Sequence, residues 1–507
     1  MCGIAGFLNP RNNDKKTEKE IYQILKKMNE VQRHRGPDDE GIFLENGCAL
    51  GHVRLSILDL YRGHQPMCKK KEGNTYAIIL NGEIYNMKTL KEQLIKEGEM
   101  FSTTSDTEVV LTGYIRYGIS YIEELNGIFS IALWDGKRKK LYLIRDRVGV
   151  KPLFYTKRGD TLIFASEIKG LFAYPGVKPV INREGLCEIF GLGPAKSYGK
   201  GVFKDIYEVL PGHFLEYDRE GLKDRAYWEL KAKEHTDSEK DTIEHTRWLV
   251  KDAVEMQMLS DIPISTFLSG GVDSSLVTAI CAKKLQKEGK NLNTFSFDFV
   301  NNHKYFKSNA FQPSEDRPWV DKMVDHAKTD HRYLECDNEN MIENLYKAVD
   351  ARDLPCMADV ESSMLYFCSK VVKYNKVTLT GECADEIFGG YPWFHKEECF
   401  KAEIFPWSMD MQPRKMLLND DIIQKVDLES YARIAYQKTI NETPKLYGED
   451  QIEARRRQIS YLNLRWFMVT LMDRMDRTSM HCGLEARVPF ADHRIVEYLY
   501  KDRKSVV

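Results

Sequence analysis

The chain has no CxxC pair, no HExxH and no cluster of cysteine with histidine, although it carries 11 cysteines and 12 histidines. A zinc site is therefore unsupported. The cysteines are scattered and odd in number, which fits reduced thiols in a cytosolic enzyme and not a disulfide framework. An excess of one charge is also missing. Lys+Arg total 74 against 76 Asp+Glu, a formal net charge of −2, so no global electrostatic case exists for nucleic acid or an anionic membrane as partner. No apolar run is long enough to span a bilayer. The apolar start is too short for a secretory signal, and Lys15 and Lys16 follow it instead of preceding it. There is no internal repeat, no low-complexity segment and no Walker-type GKS or GKT loop. At 507 residues the chain exceeds one hydrophobic core, so two or three domains are expected.

What is present is patterned in two ways. Residues 1–175 are strand-rich. "GIFLENGCALGHVRLSILD" splits at Asn46-Gly47, a hairpin signal. "TYAIILNGEIYN" reads as a strand ending in Asn81-Gly82, and "GIFSIALWDGKRKKLYLIRDRVG" as a hairpin turning at Asp135-Gly136. "MKTLKEQLIKEG" has helical spacing and stops at Gly98, and Ser105 or Asp106 caps a helix in "SDTEVVLTGYIRYG". A β-sandwich with flanking helices fits. Residues 176–235 are mixed and read as the last elements of the first domain followed by a connection. After "DTIEHTRWLVKDAVEMQML", an amphipathic helix, strands alternate with helices: "ISTFL" into "SSLVTAICAKKLQ", then "TFSFDF", then "KVTLT" into "CADEIFGG". That alternation predicts a parallel α/β sheet.

Three stretches carry chemistry. In "FLSGGVDSS" a strand ends, Gly270 and Gly271 admit an anion to the backbone, and a helix N-terminus follows. Ser269, Ser274 and Ser275 add hydroxyls, and Asp273 is placed to hold a Mg²⁺ that bridges phosphates. In "LTGECADEIFGG" the carboxylates Glu382, Asp385 and Glu386 stand where a strand gives way to a helix, the ligand-binding edge of a parallel sheet. By itself that is a solvated acidic helix start. Beside the glycine-serine loop it reads as a site for Mg²⁺ and an amino-acid substrate. The third stretch is "MCGIAGF". Removal of Met1 places the Cys2 thiol on the same residue as a free α-amino group, whose pKa near 7.7–8.0 lets it take the thiol proton. The Asn81 side-chain amide and the Gly82 N–H in "LNGEIYN" are candidate oxyanion donors. Arg54 suits an α-carboxylate, and Asp106 with Glu83 an α-ammonium.

Together, "MCGIAGF", "RHRGPDDEG", "GHVRLSILDL", "LNGEIYN", "SDTEVV" and "RDRVGVKPLFY" resemble, in order and spacing, a class II (N-terminal-nucleophile) glutaminase domain. "FLSGGVDSS" resembles the pyrophosphate loop of N-type ATP pyrophosphatases. With "TGECADEIFGGYPW" and "GLEARVPFAD" it is similar to the synthetase domain of glutamine-hydrolysing asparagine synthetases of the B type. The resemblance covers nearly the whole chain. It implies an Ntn-hydrolase αββα sandwich over residues 2–190, a connection over 191–235, and a parallel-sheet, adenine nucleotide α-hydrolase-like domain with a helical C-terminal part over 236–507.

The resemblance also implies roles. Cys2 attacks glutamine, with Asn81 and Gly82 as the oxyanion hole. Arg54, Leu55, Ser56, Ile57, Leu58, Glu83 and Asp106 hold that substrate. Ammonia then passes, enclosed, to a second site. There Ser269, Gly270, Gly271, Asp273, Ser274 and Ser275 grip pyrophosphate, while Leu268, Phe297, Thr380 and Gly381 line the adenylate pocket. Glu382 assists formation of β-aspartyl-AMP, and Asp273 and Asp385 are the Mg²⁺ candidates. The implied reaction uses L-glutamine, L-aspartate and ATP, in the cytoplasm, with a homodimer as the candidate assembly.

Two departures stand out. Cys383 occupies a place where many relatives have glycine; a small side chain fits there if φ is negative. The chain also stops at "EYLYKDRKSVV", where the family continues into a helical region carrying a lysine for adenylate chemistry. Lys501 and Lys504 sit in no matching motif. The expectation is a shortened form, complete as a glutaminase and impaired as a synthetase. An amidotransferase acting on another carboxylate, and a degenerate non-synthesising paralogue, are the alternative readings.

Overall fold

In the computed structural model, which describes residues 2–11, 16–308 and 314–501, turn chemistry acts where glycine and asparagine place it. Asn46 and Gly47 both take positive φ, 52° and 80°, as a two-residue turn matched to strand twist requires. Asp39–Glu45 and Cys48–Arg54 pair antiparallel across them. Met87–Lys96 and Asp106–Tyr117 are helices, and Ser105 Oγ accepts the Thr107 N–H at the start of the second. One expectation fails. The strand does not end at Asn81-Gly82; it runs Asn74–Ile84 and stays paired as far as Ile84 opposite Gly127. Gly82 allows this with φ 145°, where a Cβ would fall 1.9 Å from Ile128 O. The Asn-Gly pair serves close packing here, not a turn.

The chain divides into two compact units. The first comprises residues 1–236, 385–473 and 496–507, the second 237–384 and 474–495. The first unit holds two six-stranded sheets. One contains Gly3–Leu8 between Cys48–Arg54 and Thr161–Ala165; the other contains Asn74–Ile84, Gly127–Asp135 and Lys140–Arg145 in that order. Alternate residues of both sheets, among them Ile4, Leu8, Leu50, Ala77, Ile79, Trp134 and Leu143, form one apolar layer. Each large side chain so buried contributes about 1.5–3 kcal/mol. Helix Glu18–Glu30 packs on the first sheet and Asp106–Tyr117 on the second, an αββα sandwich. The span 191–235, expected as a connection, holds Tyr207–Glu208, His213–Asp218 and Gly221–Ala226, which extend these two sheets. The remainder of this unit is helical, with a core that includes Phe405, Leu428, Tyr436, Leu462 and Trp466.

The second unit is built on a five-stranded sheet, all parallel. Its order is Asp330–Cys336, Asn293–Phe299, Ile264–Phe267, Val377–Leu379, Glu485–Arg487. The chain leaves Ile264–Phe267 for a neighbour on one side and later returns on the other. Strand order therefore reverses there, and a crevice forms at the carboxyl ends. Among the described residues no helix is long and apolar enough to cross a membrane.

Candidate active sites

The period-2 register that builds the sandwich core also builds the first site. Cys2 precedes Ile4 on the core-facing side of its strand. Arg54 follows Leu50 and His52, and Asn81 and Glu83 follow Ala77 and Ile79. These polar residues thus continue the apolar layer, and all are buried. The Cys2 N–H donates to Asn81 Oδ1 at 3.1 Å, and Asn81 Nδ2 donates to Ser130 Oγ at 3.3 Å. Burial pushes the Cys2 thiol up from its ordinary pKa. The Leu55 N–H and Arg54 pull it down, and Glu83 adds to the rise. Arg54, Leu55, Glu83, Asn81 and Cys2 are therefore neighbours.

The substrate-side residues have structural work as well. Arg54 Nη2 donates to Leu58 O at 2.9 Å and Asp59 O at 2.8 Å, so it shapes the loop that carries Leu55, Ser56, Ile57 and Leu58. Ser56 N–H donates to Asp38 Oδ2 at 2.9 Å. Asp106 accepts the Ile84 N–H at 3.0 Å and the Thr107 N–H at 2.7 Å. Its carboxyl pKa is raised by burial against those bonds. Asp106 thus ties the end of the Asn81-bearing strand to a helix start.

Sequence reasoning missed the support behind Cys2. Arg35 Nε donates to the Cys2 carbonyl at 3.0 Å, and Arg35 Nη1 pairs with Glu167 at 3.1 Å, both side chains fully buried. His34 meets the same carboxylate at 3.0 Å. Removing one member of such a pair leaves a buried charge, at a cost of about 3–5 kcal/mol. The signal lies in "RHRGPDDEG", but the sequence does not show which partner its arginine meets. Asp146 of "RDRVGVK" is a second such anchor: it accepts N–H groups of Gly149, Val150 and Lys151 at 2.7, 3.0 and 2.9 Å.

The second site sits at the carboxyl ends of the parallel strands. Gly270 has φ 82°, and a Cβ there would lie 2.9 Å from Asp316 O. Gly271 caps helix Val272–Lys287, which Asp273 enters in its first turn. Ser269 Oγ and Ser274 Oγ bond each other at 3.0 Å, and the Gly271 N–H reaches Ser269 Oγ at 3.4 Å. The loop is therefore pre-shaped by its own hydrogen bonds, ahead of a helix N-terminus. Ser275 N–H closes the first helical turn on Gly271 O at 3.1 Å. Leu268, Ser269 and Phe297 line one cavity of about 240 Å³. Thr380 bonds the Arg487 carbonyl through its N–H at 3.0 Å and its hydroxyl at 3.1 Å, and Gly381 abuts Ser274.

Glu382 accepts two bonds from Arg474 Nη2, at 3.1 and 3.2 Å. Arg474 was not anticipated. It lies in "MDRMDRTSM", whose alternating charges look like a solvated helix face but are buried. The condition placed on Cys383 is not met: its φ is 77°, in the left-handed region, and its side chain is buried. Asp385 belongs to the first unit, where its carbonyl accepts the Gly389 and Gly390 N–H groups at 3.0 Å each. Among the described residues no three of His, Cys, Asp and Glu gather as a metal cluster. Lys501 ends the last described helix, and Lys504 lies outside the described residues.

Residues 1–228 match the glutamine amidotransferase domain family, and residues 245–503 match the asparagine synthase family. Over 501 residues the chain is 46% identical to asparagine synthetase (glutamine-hydrolyzing) 3 of Bacillus subtilis, spanning 99% of this chain and 81% of that protein. It is 34% identical over 417 residues to a putative asparagine synthetase (glutamine-hydrolyzing) 2 of Methanocaldococcus jannaschii, covering 77% of this chain and 76% of that one. Identity to asparagine synthetase B of Escherichia coli is 28% over 403 residues, covering 78% and 66%.

Proposed function

The chain belongs to the glutamine-hydrolysing asparagine synthetases, and from that premise we propose how its residues divide the work. It is a ligase that makes asparagine in an ATP-dependent reaction with glutamine as nitrogen donor. The half-reaction in the first unit is carried by Cys2. Once Met1 is lost, the α-amino group takes the thiol proton and Sγ attacks the glutamine side-chain amide. A C–S bond forms as the carbonyl becomes an oxyanion, which the Asn81 amide and Gly82 N–H stabilise. The amine returns the proton to the leaving nitrogen, ammonia departs, and water releases glutamate. The observation that supports this best is the 3.1 Å bond from the Cys2 backbone N–H to Asn81 Oδ1, which places the nitrogen that loss of Met1 would free beside the Asn81 side-chain amide. Arg54 takes the substrate carboxylate through the N–H groups not engaged by Leu58 and Asp59. Glu83 and Asp106 face the ammonium.

In the second unit the Ser269–Ser275 loop holds pyrophosphate, Leu268, Phe297, Thr380 and Gly381 surround the nucleotide, and Glu382 orients L-aspartate for attack on ATP. The carboxylate oxygen bonds to the α-phosphorus, pyrophosphate leaves, and ammonia displaces AMP from the acyl carbon. Mg²⁺ suits this site, because that ion is ordinarily held by one or two carboxylates plus substrate phosphates and needs no protein cage. Asp273 would hold it, and it would neutralise phosphate charge. The test is stoichiometry: glutamine, L-aspartate and Mg-ATP should yield glutamate, asparagine, AMP and pyrophosphate in equal amounts, with glutamine use abolished by Cys2→Ala. Pyrophosphate release with an acid other than aspartate, and none with aspartate, would reassign the acceptor.

A further inference from the structure

We propose that Asp298 reads the base of the nucleotide, accepting the exocyclic amine of a 6-aminopurine and so selecting ATP over 6-oxopurine triphosphates. The inference rests on the nucleotide assignment above and extends it to a residue outside the two motifs that carry that assignment. The cavity that Leu268, Ser269 and Phe297 line is also walled by Phe267, Phe295 and Phe367. The Phe367 ring stands 4.7 Å from Phe267 and 5.9 Å from Phe297, centroid to centroid. Such walls take a flat apolar group.

Charge sets the direction of the ligand. Ser269 opens the phosphate loop, so phosphates occupy that end. Asp298, Glu315 and Asp316 rim the cavity as well. Three carboxylates against one lining cation, Arg317, leave that end net negative, which disfavours a polyphosphate and suits a neutral base that bears N–H donors. Asp298 is the one of the three on a sheet strand, next to Phe297 and in register with Glu335. Its Oδ1 accepts the Phe299 N–H at 2.8 Å, which fixes the rotamer. Arg317 Nη1 is 4.0 Å from Oδ2, too far for a hydrogen bond. That guanidinium is instead held by Glu335 at 3.3 Å and stacked 4.1 Å over Tyr333. An ionised carboxylate only accepts, so an amine at C6 satisfies it and a carbonyl at C6 is repelled.

The experiment compares kcat/KM for pyrophosphate release with ATP and ITP in the wild type, Asp298→Asn and Asp298→Ala. Each ratio is taken within one preparation, so a partly folded variant does not distort it. The expected result is at least tenfold preference for ATP in the wild type, narrowed at least fivefold by Asn, whose amide can donate to the 6-oxo group. Where turnover is too slow to follow, the Kd ratio from calorimetric titration with ATP and ITP is held to the same thresholds. No wild-type preference, or a ratio unchanged in both variants, overturns the inference and leaves ATP use standing. A wild type that neither releases pyrophosphate nor binds ATP overturns the nucleotide assignment itself.

Discussion

Gly381 lies directly against the Ser269–Ser275 loop: a Cβ built on it would sit 2.8 Å from Ser274 N and 3.1 Å from the Asp273 carbonyl carbon. Both neighbours are backbone, which cannot swing aside as a side-chain tip can. Gly381→Ala must therefore push the loop or the Thr380–Glu382 turn, a strain of about 1–3 kcal/mol. The expected outcome is at least a tenfold fall in ATP-dependent pyrophosphate release, followed in a coupled assay. Wild-type rates in this variant would show that the two backbones need not be so close.

Cys383 adopts φ 77° while buried, a conformation that costs a residue with a Cβ about 1–2 kcal/mol. Glycine escapes that cost but loses up to about 1 kcal/mol of unfolded-chain entropy relative to alanine. Comparing Cys383→Gly with Cys383→Ala removes the thiol from both. We expect the glycine variant to unfold at higher denaturant concentration, reversing the order found at ordinary positions. An alanine variant of equal or greater stability would place this residue in a relaxed backbone.

His52 is fully buried, and burial lowers its pKa from 6.5 to about 3. Nε2 faces the Leu80 carbonyl at 3.2 Å, so the neutral ring donates from that nitrogen. Between pH 6.5 and 3 the unfolded chain binds a proton that the folded one does not. Stability therefore falls as pH drops through that window, by about 1.4 kcal/mol per pH unit. Glu108, held down to about 2 mainly by bonds from Ser102 and Thr103 that outweigh its burial, acts in the same direction but only below about 4.5. His52→Gln should thus reduce the slope of the unfolding free energy between pH 6.5 and 4.5 by about 1.4 kcal/mol per pH unit, leaving the part due to His331, which burial lowers to about 4. Parallel curves for the two proteins in denaturant titrations would mean the ring is protonated in the fold.

The residues of the first site were legible because they belong to short motifs at the ends of strands, where a core-facing register brings them together without further instruction. The strand, loop and helix around Ser269–Ser275 are legible for a similar reason: strand, glycines, serines and helix are contiguous. The residues that escaped are those whose meaning depends on distant partners. Arg35 meets Glu167 and Arg474 meets Glu382 across 132 and 92 positions of chain, and an ion pair of that kind leaves no periodic trace. Asn81-Gly82 was misread as a strand end because the same dipeptide serves turns and close sheet packing, and only the neighbour, here Ile128, decides. The φ of Cys383 was likewise invisible, since side-chain size does not fix backbone conformation.

Arg474 and Glu382 give the most direct test of how the second site is held. The guanidinium is mostly buried and reaches both carboxylate oxygens from one nitrogen. A charge-assisted contact of this type orients the carboxylate as well as stabilising it. Arg474→Lys keeps the charge but replaces a rigid fork with a mobile ammonium, whereas Arg474→Ala leaves Glu382 without that cation. If Arg474 acts by orienting Glu382, both variants should lower kcat for asparagine formation, lysine by less than alanine, with the apparent KM for ATP nearly constant. A rise in the apparent KM for ATP as large as the fall in kcat would instead mark Arg474 as a packing residue whose removal loosens the whole unit.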